Sequence, residues 1–246
     1  MKFQIILTAL LILLAACSQA EDPIPAATTA VITEVEDPVE PEPTAVKQVP
    51  TNESKPLETA VPAIEPITAT YFTPTQQEGP YYPINKPEDR DNDLVDLAGA
   101  VDFPNGQILE FSGTVYDANG SPLEGIIVEI WQTDANGVYL HPGDPDTDSR
   151  DPNFQFYGES VTDATGYYNF RTIFPGQYEP RPRHIHVKIK LDGQELLTTQ
   201  FYFTGEIDLQ GDDAAMLITT EPTQDADGNA ILIGQRDIIL NFTQSN

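Results

Sequence analysis

Hydrophobic and polar positions alternate along the second half of this chain with the period of two expected of strands. Leu109 to Tyr116, Ile126 to Trp131, Phe156 to Thr162, Tyr167 to Ile173, His184 to Leu191, Leu196 to Phe203 and Ile231 to Phe242 each read as a β-strand. Asn119-Gly120, Thr165-Gly166 and Asp192-Gly193 supply hairpin punctuation between them. No segment carries a run of helical period, although Asp213 to Thr219 could hold a turn. Many short strands at this spacing predict an all-β fold, a β-sandwich of mainly antiparallel strands, over a βαβ arrangement.

The first 70 residues have a different texture. Met1-Lys2-Phe3 precedes an apolar run from Ile5 to Leu14 and then Ala15-Ala16-Cys17, the layout of a secretory leader and too short for a lasting membrane span. Leu14-Ala15-Ala16-Cys17 resembles a bacterial lipobox, which implies a 1–17 lipoprotein signal whose Cys17 becomes an acylated anchor. Cys17 is also the only cysteine, so an intramolecular disulfide is excluded. Residues 18–69 are rich in Pro, Glu, Thr, Ala and Val without aromatic residues, and read as a disordered, semi-stiff tether. Aromatic residues begin at Tyr71 and Phe72, so the folded domain is assigned to 70–246, long enough for one well-cored unit. These features predict an exported protein, lipid-anchored to the bacterial cell envelope, with its domain outside the cytoplasm.

A net charge of −27 argues against a nucleic-acid partner, which requires clustered cations, and against electrostatic adsorption to anionic lipid. Against that background Arg171, Arg181, Arg183 and Lys188 stand out by falling in one stretch. The same stretch holds His184-Ile185-His186, two of the three histidines. On a strand, residues i and i+2 share a face, so both imidazoles can reach one metal ion. Ile185, Val187 and Ile189 form the opposite, aliphatic face of what reads as a half-buried strand. By itself this pair reads more simply as two polar strand residues with no ligand.

Four separated blocks change that balance. Gly113 to Asp117, Val128 to Tyr139, Gly166 to Tyr178 and Arg181 to Val187 resemble, in order, the intradiol ring-cleavage dioxygenases, the group of protocatechuate and catechol dioxygenases. The resemblance covers about residue 73 to the C-terminus. It implies a non-haem ferric ion, Fe(III), held by Tyr139, Tyr178, His184 and His186 on a prealbumin-like β-sandwich. Fe(III) is a hard ion that favours anionic oxygen, which makes chemical sense of two phenolates beside two imidazoles. It further implies a catechol-type substrate and dioxygen, both of whose atoms end in a muconate-type diacid. Tyr178 would leave the metal as the substrate chelates and would accept one of its protons. Arg181 matches a cation that stabilises charge on the ring, and Gln200 a glutamine beside the substrate. Pro80, Tyr81 and Tyr82 match a segment covering the pocket, where either tyrosine could touch the ring.

Several residues are expected to stay outside this chemistry. Trp131 reads as core, His141 is not needed as a ligand, and Asp144 to Asp151 reads as a solvated loop without calcium-site spacing. Only five residues separate Tyr178 from His184, with Glu179-Pro180 in place of the longer, aromatic-bearing loop of the family, so a more open pocket is expected. The helical N-terminal extension of catechol dioxygenases is not matched, and oligomeric state cannot be borrowed from them. The alternative is a non-catalytic, transthyretin-like binding module, which the strand and turn motifs also resemble; a site that binds iron without turnover is a third reading.

Overall fold

The computed structural model describes residues 66–243, and every structural statement below concerns them. Cys17, the leader and almost all of the 18–69 segment lie outside the described residues. Nine strands follow in order: β1 (Ile108–Tyr116), β2 (Ile127–Trp131), β3 (Tyr157–Val161), β4 (Tyr167–Ile173), β5 (His184–Leu191), β6 (Gln194–Phe203), β7 (Leu217–Gln224), β8 (Ala230–Gln235) and β9 (Ile238–Ile239). Two short 3-10 turns, Thr147–Ser149 and Gly211–Met216, are the only helical elements described, and none is long and apolar enough to cross a membrane.

Hydrogen bonding orders the strands β3-β2-β5-β6-β7-β8-β1-β4, with β9 beside the end of β1. The path makes two layers, β3-β2-β5-β6 and β7-β8-β1-β4, which share one apolar core. Phe111 of β1 meets Phe201 of β6 across the layers, with ring centroids 6.0 Å apart. Val128, Ile130, Ile185, Val187 and Ile189 fill the same core from β2 and β5. The expected sandwich is present, and its layers are stitched at a seam where Tyr202 and Phe203 pair in parallel with Leu217 and Ile218.

Several boundaries differ from the sequence expectation. The run from Ile231 to Phe242 is two strands, because at Asp237 a carboxylate oxygen accepts the Thr114 N–H at 2.9 Å, where a ladder partner would stand. β7 was hidden in Asp213 to Thr219 and beyond: only Ile218 of its residues is buried, so it carries almost no hydrophobic period. Its Pro222 is tolerated because pairing with β6 ends at Ile218 and that edge is open beyond. Of the three Gly turns only Asp192-Gly193 joins ladder partners, β5 and β6. Thr165-Gly166 passes the chain from one layer to the other, and Asn119-Gly120 closes a local turn on Asp117.

The alternation of β5 has the expected phase, yet both of its faces are buried from His184 to Ile189. The cover over its polar face is the segment 73–86, laid across β2, β5 and β6. Thr73 N–H donates to the Ile239 carbonyl at 2.9 Å, Gln76 N–H to the Thr198 carbonyl at 2.9 Å, and Glu78 pairs with Lys188. Farther along, Tyr82 Oη donates to Glu129 at 2.7 Å and Lys86 Nζ reaches the same carboxylate at 2.8 Å.

Glu129 lies mid-strand in β2 and is 2% exposed. Burial opposes its ionisation, but hydrogen bonds from Lys190, Lys86 and Tyr82 outweigh that cost and hold its pKa below the usual carboxylate value. This one carboxylate therefore ties the covering segment to the sheet. Glu129→Ala should lower unfolding stability measurably in urea. The loss should stay below the roughly 3–5 kcal/mol of a fully enclosed pair, since Lys86 and Lys190 each keep 24% of their side-chain surface in water. A wild-type urea midpoint in the variant would contradict this role.

Candidate metal and substrate site

β5 presents His184, His186, Lys188 and Lys190 on the face turned away from the core. Antiparallel register places Trp131 of β2 and Gln200 of β6 on either side of His186, and Tyr202 beside His184. Two loops bring the tyrosines to this face. In the first, Asp134 Oδ1 accepts the N–H groups of Asn136 and Val138, at 2.8 and 3.1 Å, and Asp144 Oδ2 accepts that of Tyr139 at 2.9 Å. In the second, Gly176 N–H donates to the Asp134 carbonyl at 2.8 Å, and Thr133 Oγ1 donates to the Gly176 carbonyl at 2.8 Å. The loops touch backbone to backbone. A Cβ on Gly176 would stand 2.4 Å from Gly137 N, and one on Gly137 would stand 2.2 Å from the Gln177 carbonyl oxygen. Only glycine allows that approach, and it sets the Tyr139 and Tyr178 rings edge to face with centroids 5.7 Å apart.

Three polar atoms meet at the centre. Tyr139 Oη is 3.0 Å from His184 Nε2 and 3.1 Å from His186 Nε2, and the two nitrogens are 3.1 Å apart. His184 Nδ1 lies 2.7 Å from the Pro182 carbonyl, which can only accept, so Nδ1 carries the proton and Nε2 is a bare lone pair. Burial, with a smaller contribution from the Arg181 charge, pushes His184 down to about 4; burial, with His184 and Arg181, pushes His186 well below its ordinary value. Both rings are therefore neutral donors at neutral pH. Burial raises the Tyr139 phenol, against the opposing charge of Arg181.

This donor set fits a metal ion. Protein atoms bound about 2.0–2.1 Å from one ion at near-right angles lie about 3 Å apart, the spacing found here. Among the described residues no three His, Cys, Asp or Glu side chains converge, so a metal at this point depends on phenol oxygen.

Tyr178 stands beside the triangle, half-buried, with its Oη 3.0 Å from Tyr81 Oη. That hydrogen bond first, and burial second, push Tyr81 up to about 12. Arg181 Nη2 donates to Gln200 Oε1 at 2.7 Å and to Tyr202 Oη at 3.1 Å. Gln200 is buried, and its Nε2 donates to the Gln77 carbonyl at 2.6 Å, so it is fixed in the interior. Pro80 lies exposed in the cover, and Tyr82 lies one layer back, against Trp131 and Glu129.

The structure extends two sequence expectations, for Trp131 and for the Asp144 to Asp151 loop, and adds one site residue, Tyr202. Trp131 is buried, but it stacks on the His186 ring and clusters with Tyr139 and Tyr157, apart from the main core. The Asp144 to Asp151 loop is solvated only in its middle, since both end carboxylates are buried and cap backbone N–H groups. Tyr202 went unnoticed, although Gln200-x-Tyr202 on β6 repeats the i, i+2 spacing of the histidines on β5. His141 stays out of the triangle, its ring near Tyr81 and its Nδ1 accepting from Gly143 N–H at 3.0 Å. Gln177, Glu179 and Pro180 are exposed, which leaves the rim beside Tyr178 open.

The sequence profile of the family described as Dioxygenase matches residues 77–229, more than half of the chain. The chain belongs to this dioxygenase family. It is 39% identical over 138 residues to the protocatechuate 3,4-dioxygenase beta chain of Burkholderia cepacia, covering 51% of this chain and 58% of that one. It is 34% identical over 152 residues to the catechol 1,2-dioxygenase of Acinetobacter baylyi, covering 54% and 47%. The chain thus spans about half the length of the curated relatives it matches. The dioxygenase domain of a dioxygenase carbohydrate-binding fusion from the cellulolytic Streptomyces sp. SirexAA-E superposes with a TM-score of 0.55 at 34% identity, over 70% of this chain and 99% of that one.

The histidine shifts make the domain acid-sensitive. Unfolded, both rings titrate near pH 6.5; folded, burial holds His184 down to about 4 and His186 well below its ordinary value. Between those values the unfolded chain binds more protons, so stability falls as pH falls from about 6.5 towards 4. The urea midpoint of metal-free protein should drop over that range, and drop less in His186→Gln. A flat profile in the wild type would contradict the burial argument.

Proposed function

We propose that this domain is an intradiol ring-cleavage dioxygenase, an oxidoreductase that uses dioxygen to open a catechol-type ring between its hydroxyl-bearing carbons and yields a muconate-type diacid. The carrying observation is the triangle of Tyr139 Oη, His184 Nε2 and His186 Nε2 with sides of 3.0–3.1 Å, and the second phenol beside it. Membership of the dioxygenase family supports it. A transthyretin-like binding module would account for the sandwich but not for this convergence.

Tyr139, Tyr178, His184 and His186 would hold a non-haem ferric ion. Bound there, Fe(III) would favour the phenolate form of its tyrosines, chelate a catechol and dispose its ring towards dioxygen. The protein's own groups divide the remaining work. Neutral imidazoles leave the ferric charge to be balanced by phenol oxygen. Tyr178 is the more exposed tyrosine and is tied through its oxygen only to Tyr81, so it would be the ligand to leave a bound ion, its phenolate oxygen taking up a substrate proton. Arg181 is aimed by Gln200 and Tyr202, and a guanidinium held by neutral partners keeps its full charge for an anionic ring. The open rim beside Glu179 and Pro180 leaves room for a substituted ring.

Loading with ferric salt should give a visible tyrosinate charge-transfer band, displaced in Tyr139→Phe. Oxygen consumption with catechol should accompany it. Arg181→Ala should keep the band while lowering kcat by about 100-fold, the scale of losing one fixed charge-stabilising donor. A coloured wild type that consumes no oxygen across a panel of catechols would reject turnover, and a colourless one would reject the metal.

We also infer that the domain is exported and carried on a lipid anchor at Cys17, with 18–69 as its tether. Labelled palmitate should enter the wild type and not Cys17→Ala, and the latter should leave the membrane fraction. Retention there would defeat the anchor.

A further inference from the structure

The two histidines of the triangle are held in different ways. His184 is fixed by a hydrogen bond from Nδ1 to the Pro182 carbonyl, 2.7 Å long. His186 Nδ1 is buried and has no hydrogen-bond partner among the described residues. A metal-bound histidine ordinarily has its other nitrogen held by a carbonyl or carboxylate, which fixes the plane of the ring. His186 has instead an aromatic surface against the face of its ring. Trp131 lies parallel to it, with centroids 4.7 Å apart and planes 11° apart. Gly79 of the covering segment approaches the same ring: a Cβ there would stand 3.3 Å from His186 Cε1.

The indole is itself constrained. β2 pairs Trp131 directly with His186, Tyr82 packs edge-on at 4.9 Å, and Tyr82 is anchored to Glu129. Lys188 Nζ sits 4.0 Å from the centroid of the Tyr82 ring. The stack thus continues the fastening of the covering segment, residues 73–86, into the triangle.

We propose that Trp131 is a positioning residue: its stacked indole sets the plane of His186 and does for that ligand what the Pro182 carbonyl does for His184. This rests on the metal reading above. The stacked indole face offers no acceptor to Nδ1, so the ring is oriented by contact area and π-stacking alone. Any flat aromatic side chain of similar reach should substitute in part, and an aliphatic one should not.

The test compares Trp131→Phe and Trp131→Leu with wild type after ferric loading, reading the visible band and the rate of iron release to a chelator, with thermal unfolding alongside. Trp131→Phe should keep the band and release iron within about 3-fold of wild type. Trp131→Leu should shift the band and release iron at least about 10-fold faster, the lower end of what loss of a metal ligand's supporting contact costs. A folded Leu variant with wild-type band and release overturns the proposal. So does a Phe variant as leaky as Leu, since bulk alone would then be at issue. Should the Leu variant fail to fold, metal-free wild type decides: the His186 ring protons, assigned against His186→Gln, should resonate upfield of those of His184 under the indole ring current, and unshifted resonances overturn the stack. Wild type that takes up no iron refutes the metal reading itself, a result separable from indifference at position 131.

Discussion

Three uncharged donor atoms lie about 3 Å from one another out of water, and this crowding is the constraint to which the rest of the fold answers. Two imidazole lone pairs and a phenol oxygen have too few protons to satisfy each other. A flexible surface would let them part. Here each is held from behind: His184 by the Pro182 carbonyl, His186 by Trp131, and Tyr139 by the Asp144 carboxylate on its backbone N–H. Convergence against mutual preference is what a cation site demands before its ion arrives.

The strap over β2, β5 and β6 makes that arrangement possible. Without residues 73–86 the polar face of β5 would be solvated, the imidazoles would titrate normally and a phenol would have water as a partner. Covering the face requires a buried carboxylate to be met by cations, and Glu129 with Lys86 and Lys190 supplies that balance. The same segment delivers Gly79 to His186, the Gln77 carbonyl to Gln200 and Tyr81 to Tyr178. Electrostatic fastening at one end of the strap and site assembly along it are thus one structural act.

How much of this could be read in the residues depended on whether the signal was local. Strand alternation announced β1, β2, β4 and β5 nearly to the residue, because each has one face in the core. β7 was invisible, since a strand with one buried residue has no period to detect. The His-x-His pair was legible from strand spacing, and the two tyrosines and Arg181 only through the resemblance to the dioxygenase family. Tyr202 and the second life of Trp131 were not, because their roles come from register: pairings across three strands place them beside the histidines, and no local pattern encodes a pairing. The buried ends of the Asp144 to Asp151 loop were missed for a related reason, as a run of carboxylates looks solvated until backbone N–H groups are found to need them.

The two tyrosines, similar in sequence, are made unlike by the fold. Tyr139 is 2% exposed and sits within the triangle, while Tyr178 is half-buried at the rim with its oxygen turned to Tyr81. A buried phenolate that lost its cation would face two lone pairs and no water, so departure of Tyr139 from a bound metal would be costly. Tyr178 already has another partner and an open side. On the proposed metal reading, burial alone would separate a permanent ligand from an exchangeable one. The interlocked glycines at 137 and 176 fix the backbones so that the difference resides in the side chains. An asymmetry of this kind needs no difference in intrinsic acidity between the phenols, only a difference in what each can turn towards.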